Sequence, residues 1–258
     1  MNYKLITFDQ MNGIGTITLN HPEKRNPLSL NMLKELNDIL DNLKENKNVR
    51  VVIVRGAGKI FSSGHDLSEV VNKGFADYME VFQTCSNFMQ KIQEMPQPFI
   101  AQVHGVATAG GCQLVAACDL AVAEEGARFA TPGVRIGFFC TTPAIPLVRA
   151  VGRKHALEML FTGRMISARE AEQYGLVNKV VPLEKLEEET KTLAEKIAEA
   201  SLLTLQIGKR AFYAQVNLSD AQAYNLGNEV MVSNLFAEDA GEGIRAFLEK
   251  RKPVWTGK

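Results

Sequence analysis

Phe99-Ile-Ala-Gln-Val103, followed at once by Gly105-Val-Ala-Thr-Ala-Gly110-Gly111-Cys112-Gln113, decides how this chain is read. A short apolar run bounded by turn residues reads as a buried strand, and the glycine-marked break after it leads into a helical pattern. The same succession stands upstream, where Val51-Val-Ile-Val54 precedes Phe61-Ser-Ser-Gly-His-Asp66. Two strand-to-helix breaks of this kind can aim two backbone N–H groups at one oxygen, a pocket suited to negative charge developing on a carbonyl. The chain is therefore a candidate enzyme.

Working outward, Leu5 to Phe8, a turn at Asn12-Gly13 and Ile14 to Leu19 read as a β-hairpin. Ser29 is placed to cap a helix whose apolar face is Leu33, Leu36, Ile39, Leu40 and Leu43. A helix through Val81, Phe82, Phe88, Met89 and Ile92 is stopped by Pro96 and Pro98. After the glycine-rich turn come a helix through Leu114 and Ala117 and a strand at Asp119 to Ala123. Strand, turn and helix thus recur at irregular intervals, which predicts an α/β fold of stacked ββα-like units. From Thr142 onward the pattern is almost wholly helical, broken by a strand at Val177 to Val181. Three helices rich in apolar residues follow Ala200 and are candidates for subunit contacts.

With 258 residues, 46% hydrophobic and 22% charged, the composition is that of a folded globular protein. Lys+Arg 29 against Asp+Glu 29 gives no basic excess to attract nucleic acid or an anionic membrane. No apolar run approaches the roughly 18 residues of a membrane span. The first residues go straight into strand-like alternation, which leads to the expectation of a soluble, cytoplasmic protein. Cys85, Cys112, Cys118 and Cys140 form no CxxC pair, and the four histidines form no HExxH, so free thiols and no metal site are expected. The Gly105–Gly111 break lacks the spacing of a dinucleotide or Walker loop. Ser62, Ser63, His65 and Asp66 share one turn and cannot align as a hydrolytic triad; Asp66 reads as a cap.

Over essentially its whole length the chain resembles the crotonase (enoyl-CoA hydratase/isomerase) superfamily. The resemblance lies in ordered motifs: Asn20 to Pro27, Phe61 to Leu67, Gly105 to Asp119, Phe129 to Pro132, Leu157 to Gly163, Ile166 to Ala171, Gly175 to Pro182 and Glu242 to Lys252. It implies a ββα superhelical (spiral) core with an acyl-CoA pocket over residues 1–199, and a C-terminal helical region for trimerisation over residues 200–258. It further implies a homotrimer or homohexamer, an acyl-CoA thioester as substrate, and no cofactor other than the coenzyme A that the substrate carries. The oxyanion donors that it implies are the N–H groups of His65 and Gly110. Glycine at 110 would permit close approach of the ligand. For coenzyme A it points to Lys24 or Arg25 as phosphate contacts, to the stretch around Ser63, Asp66 and Leu67, and to Phe247 and Lys250 from a neighbouring subunit. Phe138, Phe139 and Cys140 would shape the acyl pocket.

One departure matters. The positions that the resemblance matches to the two hydratase glutamates hold Gln113 and Gly133, and neither ionises. Where another part of the family has an acid, this chain has Thr141. Adding water needs a proton acceptor within reach, and losing one slows such reactions about 100- to 10,000-fold. The nominal expectation is an enoyl-CoA hydratase-like lyase without ordinary two-glutamate hydration. Decarboxylation or isomerisation is the nearest enzymatic alternative, and acyl-CoA binding without catalysis is the alternative of another class. His65 is the first candidate to replace the base. Cys112 reads as a packed thiol. Restoring both acids by Gln113→Glu with Gly133→Glu should raise hydration if the pocket is otherwise hydratase-like.

Overall fold

Asn12 and Gly13 both take positive φ, 53° and 81°, the backbone that a tight hairpin requires. They join β1 (Ile6–Met11) to β2 (Ile14–Leu19) in an antiparallel pair. The computed structural model, which describes residues 3–258, then turns parallel. β2 pairs with β3 (Val51–Gly56), and β3 with β4 (Phe99–Val103). β4 pairs in turn with β6 (Leu120–Glu124), and β6 with β9 (Lys179–Val181). A second, smaller sheet is built from β5 (Val106–Thr108), β7 (Arg128–Ala130) and β8 (Ile166–Ser167), in that order.

The chain therefore winds. β4 adds a strand to the large sheet, β5 adds one to the small sheet, and α3 (Gly110–Ala117) closes the turn; β6 and β7 repeat the move one rung on. This is the α/β, ββα spiral that the sequence implied. The large sheet is covered on both faces, which explains strands apolar throughout rather than alternating. Val52 and Val54 join a core with Leu33, Leu36 and Leu40 of α1 (Leu30–Lys44) and Phe88 and Ile92 of α2 (Phe75–Glu94). Val51 and Ile53 point the other way, into a cluster with Leu186 and Ala194 of α6 (Leu186–Ala198). Ser29 does cap α1, its side chain accepting from Met32 N–H at 3.3 Å.

Two readings are corrected. The glycine-rich break is not all turn, because Val106–Thr108 pairs in register with β7. The expected strand at Val177 shortens to Lys179–Val181, since Leu176 and Val177 both send their N–H groups back to Ala171 O as α5 (Ala168–Tyr174) ends. α4 (Thr141–Thr162) is broken at Gly152, where φ is 74° and ψ 166°.

After α6 come α7 (Leu202–Gln215), α8 (Asp220–Leu235) and α9 (Glu238–Leu248). α7 is bound to the spiral by one buried cluster. The Lys209 ammonium donates to Ile92 O at 2.7 Å, Gln97 O at 2.9 Å and Asp119 Oδ2 at 2.7 Å. Tyr213 donates its hydroxyl to Asp119 Oδ1 at 2.8 Å, and Phe99 N–H reaches Oδ2 at 2.7 Å. No helix among the described residues is long and apolar enough to cross a membrane.

Candidate active site

The winding places Phe61–Asp66 and Thr108–Gly110 on consecutive rungs, side by side. Ser62 forms a parallel bridge with Ala107; its N–H reaches Val106 O at 3.1 Å, and its carbonyl accepts from Thr108 N–H at 3.0 Å. Two glycines let the rungs touch. A Cβ on Gly64, at φ +87°, would stand 2.8 Å from Thr108 O and 2.9 Å from Gly110 N, and one on Gly111 would stand 2.5 Å from Ser62 O. Gly110 itself is less demanding, because a Cβ there would meet Leu28 Cδ1 at 3.3 Å and His65 Cδ2 at 3.5 Å. Its glycine is thus set by neighbouring protein atoms as well as by room for a ligand.

Between the rungs Ala109 holds φ 49° and ψ −115°, a conformation that ordinarily belongs to glycine, with its own N–H tied to Ala130 O at 2.9 Å. Such a residue stores about 1–3 kcal/mol of strain and persists only where its surroundings over-determine it. The twist leaves Gly110 as the first residue of α3. Among the described residues neither Gly110 N–H nor His65 N–H has an acceptor within the protein.

Both residues line a cavity of about 560 Å³ whose wall is mostly apolar, with Leu67, Val70, Phe82, Ile136, Phe138 and Phe139 prominent. Arg135 is its one formally charged side chain among the described residues, and no carboxylate lines it. The His65 ring meets Phe82 edge-on, centroids 5.3 Å apart, and Phe82 lies 5.8 Å from Phe138. His65 Nδ1 stands 3.2 Å from Leu28 O. A carbonyl can only accept, so Nδ1 carries the hydrogen and the neutral ring presents a lone pair at Nε2. Nε2 is buried and has no partner. Burial lowers the imidazole pKa from its ordinary 6.5, which keeps the ring neutral at pH 7. Gln113 Oε1 and Thr131 Oγ1 are likewise buried and unpartnered.

Gly133 corrects the expectation attached to it. Phe138 N–H donates to Gly133 O at 3.0 Å and Gly133 N–H to Cys140 Sγ at 3.3 Å, folding residues 138–140 back over it. A Cβ at 133 would fall inside the Phe138 carbonyl oxygen and 2.8 Å from Cys140 Sγ. The space for a glutamate is filled by main chain, so Gly133→Glu cannot restore hydration by simple addition of an acid. The thiols are inert by burial: Cys112 is pushed up to about 12, and Cys140 is raised as well.

Of the site residues expected from sequence, Ser63, His65, Leu67, Gly110, Gly133, Phe138, Phe139 and Cys140 line the cavity. Gln113 is buried in α3 behind the wall. Asp66 caps the turn Leu67–Glu69, accepting from Ser68 N–H and Oγ at 3.0 and 2.6 Å. Lys24 and Arg25 stand on the preceding loop, where Arg25 O accepts from Ser63 N–H at 3.0 Å. Phe247 on α9 and Lys250 just beyond it are exposed and away from the cavity of their own chain. Sequence reasoning missed Leu28 as the anchor of His65, Phe82 as a wall residue, Arg135 and the strain at Ala109. Phe82 gave no separate signal, because it sits in a helical stripe of core residues. Among the described residues no group of three or more His, Cys, Asp or Glu is placed to hold a metal.

Comparison with known proteins bears on the family and the fold. The family described as enoyl-CoA hydratase/isomerase matches residues 9–258. The human "enoyl-CoA hydratase domain-containing protein 3, mitochondrial" is 53% identical over 249 residues, covering 96% of this chain and 82% of that protein. The rat protein of the same name is 50% identical over 254 residues, covering 98% and 85%. The crystal structure of the human domain-containing protein 3 superposes with a TM-score of 0.95 at 50% identity, covering 98% of this chain and 100% of that one. That of an enoyl-CoA hydratase from Mycobacterium smegmatis gives 0.95 at 43% identity, covering 98% and 99%. These relatives correct the cytoplasmic expectation: the similar rat and human proteins are named mitochondrial, and the first residues read here do not decide location.

Proposed function

This chain belongs to the enoyl-CoA hydratase/isomerase family, and on that footing we propose that it acts on an acyl-CoA thioester. The enolate oxygen that forms on the thioester carbonyl is held between the N–H groups of His65 and Gly110. The observation that carries the reading is that these two amides, on adjacent rungs, have no acceptor in the protein and border one apolar cavity. In such surroundings preorganised donors act with little screening, and each is worth about 3–4 kcal/mol of barrier.

The assignment is a hydratase-like lyase in family terms, with the two-glutamate addition of water set aside. Gln113 lies behind the cavity wall and accepts no proton, and Gly133 has neither a side chain nor room for one. Enolate formation by decarboxylation fits the cavity better, because its wall holds no carboxylate, while proton transfer at carbon needs a base of another kind. Loss of CO₂ needs stabilisation of the charge left behind more than it needs a base. Coenzyme A lies along Ser63, with Lys24 or Arg25 at its phosphates and no further cofactor. Exposed Tyr224 and Met231 on α8, Phe236 just past its end and Phe247 on α9 meet other copies in a homotrimer or homohexamer, which brings Phe247 and Lys250 to a neighbour's coenzyme A. Light scattering reads that assembly directly.

Incubating the protein with crotonyl-, malonyl- and methylmalonyl-CoA, with products followed by mass spectrometry, tests the reading. Decarboxylated or isomerised thioester is the expected product. Rapid hydration of crotonyl-CoA would overturn the role given to Gln113 and Gly133. Binding of all three with no turnover would make the protein an acyl-CoA carrier.

A further inference from the structure

We propose that the His65 imidazole, through Nε2, takes and returns the proton at the carbon next to the thioester carbonyl, replacing the absent carboxylates. The inference rests on the enolate reading above and adds to it the identity of the base.

Four observations converge on that atom. Leu28 O claims Nδ1–H, so the tautomer is settled by main chain rather than by ligand. Nε2, at the opposite edge of the ring, is buried and bonded to nothing, an unsatisfied acceptor on a residue that lines the cavity. Cδ2, the ring carbon beside Nε2, lies 3.5 Å from where a Cβ on Gly110 would stand, so this edge lies against an oxyanion donor. Finally, the remaining wall offers no rival. Arg135 is a cation, the Cys140 thiol is raised by burial, and the side chains of Ser63, Thr141 and Thr142 are not bases near neutral pH. The carboxylates of the turn that follows His65 are engaged elsewhere, Asp66 with Ser68 and Glu69 with Leu30 N–H at 2.8 Å.

The step balances within the site. The Cα–H bond of the acyl group breaks, its electron pair becomes the Cα=C bond of the enolate, and the carbonyl π pair moves onto oxygen, between His65 N–H and Gly110 N–H. The proton goes to Nε2 and makes an imidazolium beside the enolate, a neutral pair overall. Its return to carbon regenerates the ring. Burial that disfavours an isolated imidazolium is offset by the oxyanion formed in the same step.

The test is exchange of the α-hydrogens of butyryl-CoA in D₂O, read by mass spectrometry, in the wild type, His65→Asn and His65→Gln. Asn places its amide nitrogen where Nδ1 stood, so the bond to Leu28 O survives while the acceptor is lost; Gln places an amide at the Nε2 position. Both keep the residue 65 backbone N–H. Exchange should fall about 100-fold or more in both variants. Wild-type exchange should follow a single ionisation below pH 6.5 that the variants lack. The ¹³C shift of a labelled thioester carbonyl should show polarisation in all three proteins, with affinity changed by less than about threefold. In the ligand-free wild type, ¹⁵N-histidine spectra should show Nε2 unprotonated.

A polarised carbonyl with exchange that is absent in the wild type, or unchanged in the variants, overturns the base. So does an Nε2–H tautomer, a result that needs no variant to fold. A carbonyl that is unpolarised in the wild type overturns the enolate reading itself, which distinguishes the two failures.

Discussion

Two buried polar regions of this protein stand in contrast, one where α7 meets the spiral and the other around His65. In the first, all three hydrogens of the Lys209 ammonium are used, and both Asp119 oxygens accept. Tyr213, its phenol raised by burial and by Asp119, remains a donor to that carboxylate. In the second, two backbone amides and an imidazole nitrogen are left open. Polar groups leave water only at a cost, so each region needs an explanation. The closed cluster has one within the fold: it ties a helix to a sheet. The open one has none within the fold; the proposed thioester would supply an acceptor for the amides and a proton for the ring.

Breaking the closed cluster should have the largest effect on stability. Lys209→Ala leaves a buried carboxylate short of its cation and should destabilise the fold by about 3–5 kcal/mol, read by denaturant unfolding at fixed protein concentration. Carbonyl polarisation by the surviving folded protein should be unchanged, since Lys209 touches nothing in the cavity.

Wedging the open region should do the reverse. Gly64→Ala puts a Cβ 2.9 Å from Gly110 N and 2.8 Å from Thr108 O, prising apart the two rungs that carry the His65 and Gly110 amides. Turnover should drop about 10²- to 10³-fold, as for a lost oxyanion donor, with a smaller loss of stability. Equal losses in both would show that the rungs are merely structural.

A subtler difference lies in pH. Because burial holds the His65 pKa below 6.5, the unfolded chain takes up a proton that the folded cavity refuses as pH falls below that value. More protons on the unfolded state mean that stability rises with pH in this window. His65 therefore contributes fully above pH 6.5, and its contribution is lost as pH drops toward and through its folded value. Unfolding midpoints of wild type and His65→Asn should diverge less under acid than at neutral pH; a constant gap would contradict this.

Smallest of all is Ala109→Gly. Relief of the strain at φ 49° should outweigh the added freedom of the unfolded chain and stabilise the fold by about 1 kcal/mol. The Gly110 amide is then held less firmly, and turnover should fall a few-fold. A variant more stable and equally active would mean that the strain has no part in aiming the amide.

Much of this was legible because it is local. Asn12-Gly13, the Ser29 cap, the Asp66 cap and the doubly buried runs at Val51 and Phe99 announce themselves within a few residues. The paired breaks that present the His65 and Gly110 amides could be read as well, because each follows its own strand. What escaped depends on partners that meet only in three dimensions. β5, β7 and β8 are two or three residues long and show no periodicity, so the second sheet was invisible. Lys209 and Asp119 are 90 positions apart. An alanine at a glycine-like φ carries no mark in sequence, and the tautomer of His65 depends on a carbonyl of Leu28 whose side chain says nothing about it.

The segment folded over Gly133 has a practical consequence for anyone wishing to turn this scaffold into a water-adding catalyst. With the Phe138 carbonyl seated where a carboxylate would have to enter, point substitution starts from an occupied seat. The productive unit of redesign is the Phe138–Cys140 stretch as a whole, re-routed by replacing the loop before any acid is introduced beneath it.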